Sequence, residues 1–470
     1  MHTTQLAILG GGPGGYAAAF MAADLGLSVT LIDEEANPGG VCLHRGCIPS
    51  KALLHAARLI NETKQAAEWG MTFGPPAIDL DRLRGWKQGI VDRLTGGLGQ
   101  LSRQRKITYL RGRGEILDPR TLVVRAAGGE QRVQFGHAIL ATGSSPTRVP
   151  GVSIDSPRVL DSTSALELAS VPKRLLVVGG GYIGLELGTV FAALGSAVTV
   201  VEMTDGLLPG ADRDLVAILA RRVGAMCEAV LLNTKVSGVT EERDGLRVTF
   251  EGASIARRED VFDQVLVSVG RRPNSKIPGL ERTRVKVNAR GFLEVDGQRR
   301  TAEPTIFAIG DVAGEPMLAH KASAEGRLAV EVIAGRKAAF EPAAIPAVVF
   351  TDPELAWCGP TEAQARAEGR DIEVTRFPWA ASGRAITLDR TDGVTKLIFD
   401  RPTGRLLGMG IVGPGAGELI AEGVLAVEMA ATAEDLGLTI HPHPTLSETV
   451  MEAADAFHGT ATHIFRPRKK

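Results

Sequence analysis

Short apolar runs alternate with helical stretches along the first and middle parts of the chain. Residues 5–10 (QLAILG) predict a buried strand, residues 16–26 (YAAAFMAADLG) a helix, and residues 28–33 (SVTLID) a second strand. The same order returns with a strand at residues 174–178 (RLLVV), a helix, and a strand at residues 197–202 (AVTVVE). This repeated order indicates parallel βαβ units.

Each predicted junction between strand and helix carries the pattern G-x-G-x-x-G. The glycines are Gly10, Gly12 and Gly15 in the first unit and Gly179, Gly181 and Gly184 in the second. Such glycines allow a tight turn and let a pyrophosphate approach backbone amides at a helix N-terminus. Asp33 stands 23 positions after Gly10, and Glu202 stands 23 positions after Gly179, where an acid can bind ribose hydroxyls. Two matching copies predict two separate nucleotide-binding domains.

The second acid also bears on the choice of nucleotide. A carboxylate at Glu202 would bind a free ribose 2′-hydroxyl and repel a 2′-phosphate. The residues that follow Glu202 contain no Arg or Lys before Arg213. The sequence therefore favours NAD over NADP.

Length and charge place the chain among globular proteins. It has 470 residues, 44% hydrophobic and 23% charged, which suits about three domains. The 53 basic and 54 acidic residues nearly cancel, which argues against a nucleic-acid partner or a membrane surface. No stretch reaches the roughly 20 apolar residues that cross a bilayer, and no signal-peptide pattern precedes the first strand. We expect a cytoplasmic protein whose basic tail at residues 466–470 is a solvated end.

Two of the four cysteines lie within residues 39–51 (GGVCLHRGCIPSK), just before a predicted helix. A structural disulfide between Cys42 and Cys47 would gain only roughly 2 kcal/mol across so short a loop. A zinc site would need four ligands, and His44 offers only a third, so we expect no metal. A redox pair fits best, because a thiolate at a helix N-terminus beside Lys51 has a lowered pKa. The residues alone leave the three interpretations open.

Residues 39–51 closely resemble the redox-active segment of the flavin-dependent pyridine nucleotide–disulfide oxidoreductases, and the resemblance runs nearly end to end. It implies FAD and NAD as cofactors. It also implies an α/β fold with two Rossmann-like nucleotide-binding domains plus an α+β C-terminal dimerisation domain. The implied boundaries are 1–145 for the FAD-binding domain, 146–275 for the NAD-binding domain, 276–344 for a return to the FAD or central domain, and 345–470 for the interface domain.

The resemblance also implies roles for individual residues. Cys42 would exchange with substrate sulfur, and Cys47 would lie nearer the flavin. Lys51 and Glu186 would form an ion pair beside the flavin, although a Glu in the first turn of a helix ordinarily just complements the helix dipole. The other implied FAD contacts are Lys51, Gly114, Gly143, Asp311 and Ala319, and the other implied NAD contacts are Val236 and Gly270.

The segment HPHPTLSE at residues 441–448 supplies a candidate base. Thiol–disulfide exchange needs a thiolate, and His transfers protons near neutral pH. A single His is more often an ordinary surface or core residue, and an H-x-H pair can be half of a metal site. The resemblance implies His443 rather than His441 as the base, with Glu448 orienting its ring.

Together these features predict an enzyme. The resemblance implies that the chain oxidises protein-bound dihydrolipoamide through a Cys42–Cys47 disulfide and FAD, and reduces NAD+. The implied partners are a second copy, whose disulfide His443 would reach, and the lipoyl domains and acyltransferase core of 2-oxo acid dehydrogenase complexes. The alternatives are another flavin disulfide reductase of the glutathione-reductase type, which would want basic residues after Glu202, and a flavin-bearing complex subunit without turnover.

Overall fold

The computed structural model describes residues 2–126, 128–253 and 257–465. The basic tail at residues 466–470 lies outside the described residues, so its predicted solvation stays a prediction. Among the described helices, none combines the length and the apolar character that crossing a membrane would require.

Strands and helices fill most of these described ranges. The strands are β1 (His2–Leu9), β2 (Val29–Asp33), β3 (Thr108–Arg111), β4 (Arg113–Asp118), β5 (Thr121–Ala126), β6 (Gly129–Leu140), β7 (Ser144–Pro146), β8 (Val159–Leu160), β9 (Arg174–Val178), β10 (Ala197–Val201), β11 (Ala229–Leu231), β12 (Thr234–Glu242), β13 (Gly245–Gly252), β14 (Glu259–Phe262), β15 (Gln264–Val267), β16 (Arg271–Pro273), β17 (Ile306–Ala308), β18 (Ala347–Val349), β19 (Leu355–Cys358), β20 (Ile372–Pro378), β21 (Val394–Asp400) and β22 (Leu406–Val412). The helices are α1 (Pro13–Asp24), α2 (Gly40–Arg45), α3 (Cys47–Gln65), α4 (Leu80–Gln104), α5 (Ser162–Glu167), α6 (Tyr182–Ala193), α7 (Arg213–Met226), α8 (Ala319–Ile333), α9 (Glu362–Ala367), α10 (Gly383–Thr387), α11 (Ala416–Glu428), α12 (Ala433–Leu438) and α13 (Glu448–His458).

The first unit is built on a parallel sheet with the strand order β3-β2-β1-β6-β17. Its β1 and β2 are almost wholly buried apolar runs, as expected for parallel strands that helices cover. Small residues of α1, among them Ala18 and Ala22, let that helix pack closely on β1 and α8. The far end of β6 forms an antiparallel meander with β5 and β4. Because β17 follows the second unit in the sequence, the first unit is built from two segments of the chain, and the second unit lies between them in sequence.

The second unit repeats this plan. Its parallel sheet has the order β11-β10-β9-β15-β8, and β12, β13 and β14 form an antiparallel meander beside it. The apolar face of α6 packs on β9 and β10 in a core that also includes residues of α3 and α7. The prediction of two Rossmann-like units is confirmed.

The third unit is an antiparallel sheet with the order β18-β19-β22-β21-β20. Helices α11 and α13 bury apolar residues against it, including Ile420 and Val450. Sheet and helices segregate in this way in α+β architectures, so the predicted class of the C-terminal unit is also confirmed.

Two connections between the first and second units lie side by side. The outgoing segment forms β7 and the returning segment forms β16, and the two pair antiparallel, with Ser144 opposite Pro273 and Pro146 opposite Arg271. This ribbon joins the two units next to the cavity described below.

One local prediction is wrong. Glu186 is not in the first turn of its helix, because α6 begins at Tyr182 and Glu186 is its fifth residue. At that position its side chain is buried against α3 and does not complement the helix dipole at the surface.

A buried lysine joins the second and third units. Lys396 on β21 has only 2% of its side chain exposed, and its Nζ lies 3.1 Å from Asp212, 3.0 Å from Asp214 and 2.9 Å from Glu362. Burial would raise the pKa of Glu362, but hydrogen bonds from Lys396 and Arg366 lower it to about 2. The cluster therefore stays charged, and each member depends on the others for compensation.

We predict that Lys396→Met destabilises the chain by about 3 kcal/mol, because Asp212, Asp214 and Glu362 lose the buried cation that all three share, and Arg376 remains only beside the latter two. The urea midpoint of the purified protein measures this effect. The matched control is Arg58→Gln, which breaks an exposed pair with Glu62 and should change stability by less than about 1 kcal/mol. Equal midpoints for Lys396→Met and the control would contradict the stabilising role of the cluster.

Candidate active site

A cavity of about 920 Å³ lies along the first unit and reaches the second. Its lining includes Gly10, Gly12 and Asp33 of the first nucleotide-binding motif, and Cys47 and Lys51 of α3. The predicted residues Cys42, Gly114, Gly143, Glu186, Asp311 and Ala319 also line it. A large cavity lined by both a glycine turn and two thiols suits a dinucleotide with a redox-active ring.

The glycine turn has the backbone that the motif predicts. Gly10 has a φ of +111° and Gly179, its counterpart in the second unit, has a φ of +108°, a region that side chains disfavour. Gly15 does not line the cavity; a Cβ there would lie 1.8 Å from the carbonyl oxygen of Gly10, so it lets α1 pack against the turn. The N-terminus of α1 has no side-chain cap at Gly12, which leaves its first amides available to a phosphate.

Asp33 ties this turn to the end of β2. Its Oδ2 accepts a hydrogen bond of 2.5 Å from the Gly11 amide, and its Oδ1 accepts one of 2.9 Å from the Glu35 amide. The carboxylate therefore faces the cavity in a fixed orientation, as a ribose ligand requires.

Asp311 lines the cavity from a short 3₁₀ turn after β17. Ser144 donates a hydrogen bond of 2.5 Å to its Oδ2, and Arg271 donates one of 2.7 Å to the Ser144 hydroxyl. Arg271 and Ser144 lie on the paired strands β16 and β7, so the ribbon between the units orients this carboxylate. The buried Glu325 accepts the Gly310 amide at 2.6 Å and so fixes the same turn.

The two cysteines line the cavity, as do Tyr182 and Glu186 of α6 in the second unit. Cys42 is in the short helix α2, and Cys47 is the first residue of α3. Both are free thiols, the reduced form of the expected pair. Their mutual hydrogen bond raises the pKa of Cys42, together with burial, and lowers the pKa of Cys47 to about 7, to which the Lys51 ammonium also contributes. Within the pair, Cys42 therefore binds its proton more tightly, and Cys47 is the thiol that ionises first.

Lys51 and Glu186 are brought together from different units. The Lys51 Nζ lies 2.8 Å from Glu186 Oε2, and the Glu186 side chain is only 5% exposed. The other carboxylate oxygen accepts a hydrogen bond of 3.0 Å from the amide of Phe350, which follows β18 in the third unit. The Phe350 ring lies under the ammonium, 4.4 Å from its Nζ.

The second nucleotide loop has the same acid-to-turn hydrogen bond as the first. Glu202 Oε2 accepts the Gly180 amide at 2.7 Å, and Oε1 accepts the Thr204 amide at 2.8 Å. The next basic residue, Arg213, donates to the carbonyls of Leu207 and Leu208 and so braces the loop. A guanidinium engaged in this way is not free to hold a 2′-phosphate, which agrees with the preference for NAD.

Four other residues predicted for this nucleotide have different surroundings. Gly184 packs against the turn, since a Cβ would lie 2.4 Å from the Gly179 carbonyl oxygen, whereas Gly181 has open space beside it. Gly270 has a φ of +110° and accepts a hydrogen bond from the Thr147 amide. The Val236 side chain is buried in the core of the second unit, so a nucleotide would meet only its backbone.

The two candidate bases differ sharply. His443 Nδ1 lies 2.8 Å from Glu448 Oε1, and 74% of the His443 side chain is exposed. Burial would raise the pKa of Glu448, but hydrogen bonds from the Thr445 amide and His443 lower it, so it stays a carboxylate. In His441, by contrast, Nε2 lies 2.7 Å from Glu422 and Nδ1 lies 2.8 Å from the Thr439 carbonyl. His443 does not line the cavity of its own chain.

Several contacts at the site were not predicted from the sequence: Arg271, Ser144, Glu325 and Phe350. Each of them contacts a residue 15 to 167 positions away. Local patterns carry no signal for such partners.

Comparisons with known proteins agree with this geometry. Residues 4–326 match the family described as pyridine nucleotide-disulphide oxidoreductase, and residues 345–454 match its dimerisation domain. The chain belongs to the pyridine nucleotide-disulphide oxidoreductase family. As a member of this family it is an oxidoreductase that uses FAD and NAD, and its dimerisation domain supports a homodimer.

Relatives of this family match the chain nearly end to end. A dihydrolipoyl dehydrogenase of Vibrio cholerae is 49% identical over 99% of this chain and 98% of that protein. One of Geobacillus stearothermophilus is 46% identical over 98% of this chain and 97% of that protein. Among solved structures, LpdA from Mycobacterium tuberculosis matches with a TM-score of 0.90 at 29% identity, over 96% of this chain and 99% of that one.

We predict that Glu202→Gln narrows the preference for NAD over NADP at least about tenfold, since a hydrogen bond from ribose to a charged acceptor contributes about 1.5–3 kcal/mol. The ratio of kcat/KM for the two nucleotides measures this change. Glu241→Gln, which removes an exposed carboxylate from β12 of the same unit, is the control. If Glu202→Gln leaves the ratio where the control does, the acid does not select the nucleotide.

Proposed function

We propose that this protein is an NAD-dependent dihydrolipoyl dehydrogenase, which oxidises protein-bound dihydrolipoamide to lipoamide and passes the electrons to NAD+. The observation that carries the proposal is that the Cys42–Cys47 pair lines the cavity next to Lys51, which lowers the pKa of Cys47. The name shared by relatives that match almost the full chain supports the substrate.

The chemistry assigned to the chain is a thiol–disulfide exchange. His443 of one protomer takes the proton from a dihydrolipoamide thiol, and Glu448 stabilises the imidazolium that forms. The substrate thiolate attacks Sγ of Cys42, the bond to Cys47 breaks, and Cys47 leaves as a thiolate. The second substrate sulfur, once deprotonated, attacks the first, releasing lipoamide and leaving the proton on Cys42.

Residues of the chain set the direction of this exchange. A leaving thiol of low pKa departs faster, and the pKa of Cys47 is lowered to about 7 while that of Cys42 is raised. Bound FAD supplies the two-electron acceptor that restores the disulfide, and bound NAD+ accepts the hydride. The Lys51–Glu186 pair keeps a cation beside Cys47 throughout.

The cofactors divide the chain along its units. We assign residues 1–145 to FAD binding, 146–275 to NAD binding, 276–344 to the return into the FAD unit, and 345–470 to the interface. Gly10, Gly12 and Asp33 would hold the adenosine diphosphate end of FAD, and Asp311 and Ala319 its remaining length. The turn after β9 and Glu202 would hold NAD.

The partners follow from the substrate. A lipoyl group attached to another protein must reach the cavity, so we assign lipoyl domains and the acyltransferase core of 2-oxo acid dehydrogenase complexes as partners. We also propose a cytoplasmic location for the protein.

The test is a steady-state assay with dihydrolipoamide and NAD+, run beside reduced glutathione and NADP+. We expect turnover with the first pair only, and we expect Cys42→Ser to abolish it while FAD stays bound. Bound FAD is measured from the visible absorbance of the purified variant. Turnover with glutathione, or full activity in Cys42→Ser, would overturn the proposal; flavin that dihydrolipoamide never reduces would favour a subunit without turnover.

We predict that His443→Gln slows the reduction of the flavin by dihydrolipoamide about 10²- to 10⁴-fold, the usual contribution of a general base. Reduction of the flavin by NADH should be unchanged, because it involves no substrate thiol. Stopped-flow absorbance measures both half-reactions. His458→Gln, an exposed histidine on α13, is the control and should behave as wild type. Equal losses in both half-reactions of His443→Gln would contradict its role as the base.

A further inference from the structure

Phe350 stands where the three units meet, and nothing in the proposed exchange of thiols uses it. It follows β18 in the third unit and packs against a core that includes Leu53 and Leu54 of α3 and Leu185 of α6. Its amide donates to Glu186 at 3.0 Å, and its ring lies 4.4 Å from the Lys51 Nζ. One residue therefore contacts both members of the ion pair.

The two contacts restrain different members of the ion pair: the amide orients the Glu186 carboxylate, and the ring restricts the Lys51 ammonium. The amide occupies Glu186 Oε1, so Oε2 remains for Lys51 at 2.8 Å. The ring attracts the ammonium through its negative face and limits where a long, flexible side chain can place its charge. Since 32% of the Lys51 side chain is exposed, the ion pair alone does not confine it.

We propose that Phe350 is a positioning residue of the redox centre: its ring holds the Lys51 ammonium beside Cys47 and so stabilises the thiolate form of Cys47. The third unit thereby controls thiol chemistry that the first unit carries out. This inference rests on the proposed function only in taking Cys47 as the sulfur next to the flavin.

The charge on Cys47 responds to few groups. The Cys42 thiol and Lys51 stabilise its thiolate, and Glu186 opposes it. Tyr16 and Tyr182 lie near enough for the Cys47 charge to raise their pKa, alongside their burial, and both stay neutral at ordinary pH. Removing the Phe350 ring frees the Lys51 ammonium, which lowers the pKa of Cys47, so that pKa should rise.

The experiment measures that pKa in the holoenzyme without substrate. In a Cys42→Ser background, Cys47 is a single thiol that forms no disulfide, and its thiolate gives a long-wavelength absorbance against oxidised flavin. The midpoint of this absorbance is titrated against pH for Phe350→Leu, Phe350→Met and Phe350→Tyr. Leu and Met should raise the midpoint by about half a unit to one unit, the size expected when a nearby cation is held less closely to the thiolate. Tyr keeps a ring and should restore the starting midpoint.

Two controls separate positioning from a general structural effect. Phe262→Leu removes another ring under a cation, Arg174, in β14 of the second unit, and should leave the midpoint unchanged. In a Lys51→Met background, Phe350→Leu should cause no further shift, because the cation on which the ring acts is gone.

The outcomes are decisive in either direction. An unchanged midpoint in both Phe350→Leu and Phe350→Met, an equal shift in Phe262→Leu, or a persistent shift without Lys51 would overturn the inference. If Phe350→Leu binds no FAD, Phe350→Met decides. The titration uses no dihydrolipoamide, so a chain that fails to oxidise dihydrolipoamide but shows the expected shift would count against the proposed substrate and not against Phe350.

Discussion

The buried carboxylate of Glu186 imposes the strongest constraint on how this chain is assembled. The Glu186 side chain is only 5% exposed, so its charge would destabilise the fold by several kcal/mol if its partners were removed. Those partners come from the other two units, Lys51 from the first and the amide of Phe350 from the third. The charge is satisfied only when all three units are docked. Lys51 also lowers the pKa of Cys47. The docking of the three units that stabilises Glu186 therefore also places the cation that favours the thiolate of Cys47.

The duplicated nucleotide-binding unit shows how one local solution serves two sites. In both copies the acid at the end of the second strand accepts a hydrogen bond from the amide after the first glycine, at 2.5 Å from Gly11 to Asp33 and 2.7 Å from Gly180 to Glu202. The acid therefore organises the turn before any ribose arrives. The copies differ in their surroundings: Asp33 opens on the large cavity, whereas Glu202 is buried by its own loop. The same motif can thus hold one nucleotide along the length of a unit and another at its edge.

Contacts formed within a few residues were readable from the sequence, whereas contacts between units were not, apart from the Lys51–Glu186 pair that the family resemblance implied. The glycine turns, the strands that precede them and the position of Cys47 at the start of α3 follow from local rules of backbone geometry and helix ends. The hydrogen bonds from Arg271 to Ser144 and from Ser144 to Asp311 join segments more than 120 positions apart, so no local sequence pattern in any one segment predicts them. Glu186 shows the intermediate case: its helix was predicted, but the true helix start moves it from the exposed first turn to a buried face. Lys396 shows the extreme case, since a lysine within an apolar strand gives no sign of the three acids around it.

The placement of the candidate base fits the proposal that the redox chemistry uses a second copy of the chain. His441 has both ring nitrogens engaged by its own chain, so it has none free to take a proton. Among the described residues, His443 has a partner only at Nδ1, which leaves Nε2 directed away from Glu448 and available. Yet His443 is 74% exposed and lies outside the cavity that holds the cysteines of its own chain. A base fully in water would exchange protons with solvent as readily as with a thiol. His443 becomes selective only when another surface covers it, and the unit that carries it is the one that matches the dimerisation domain.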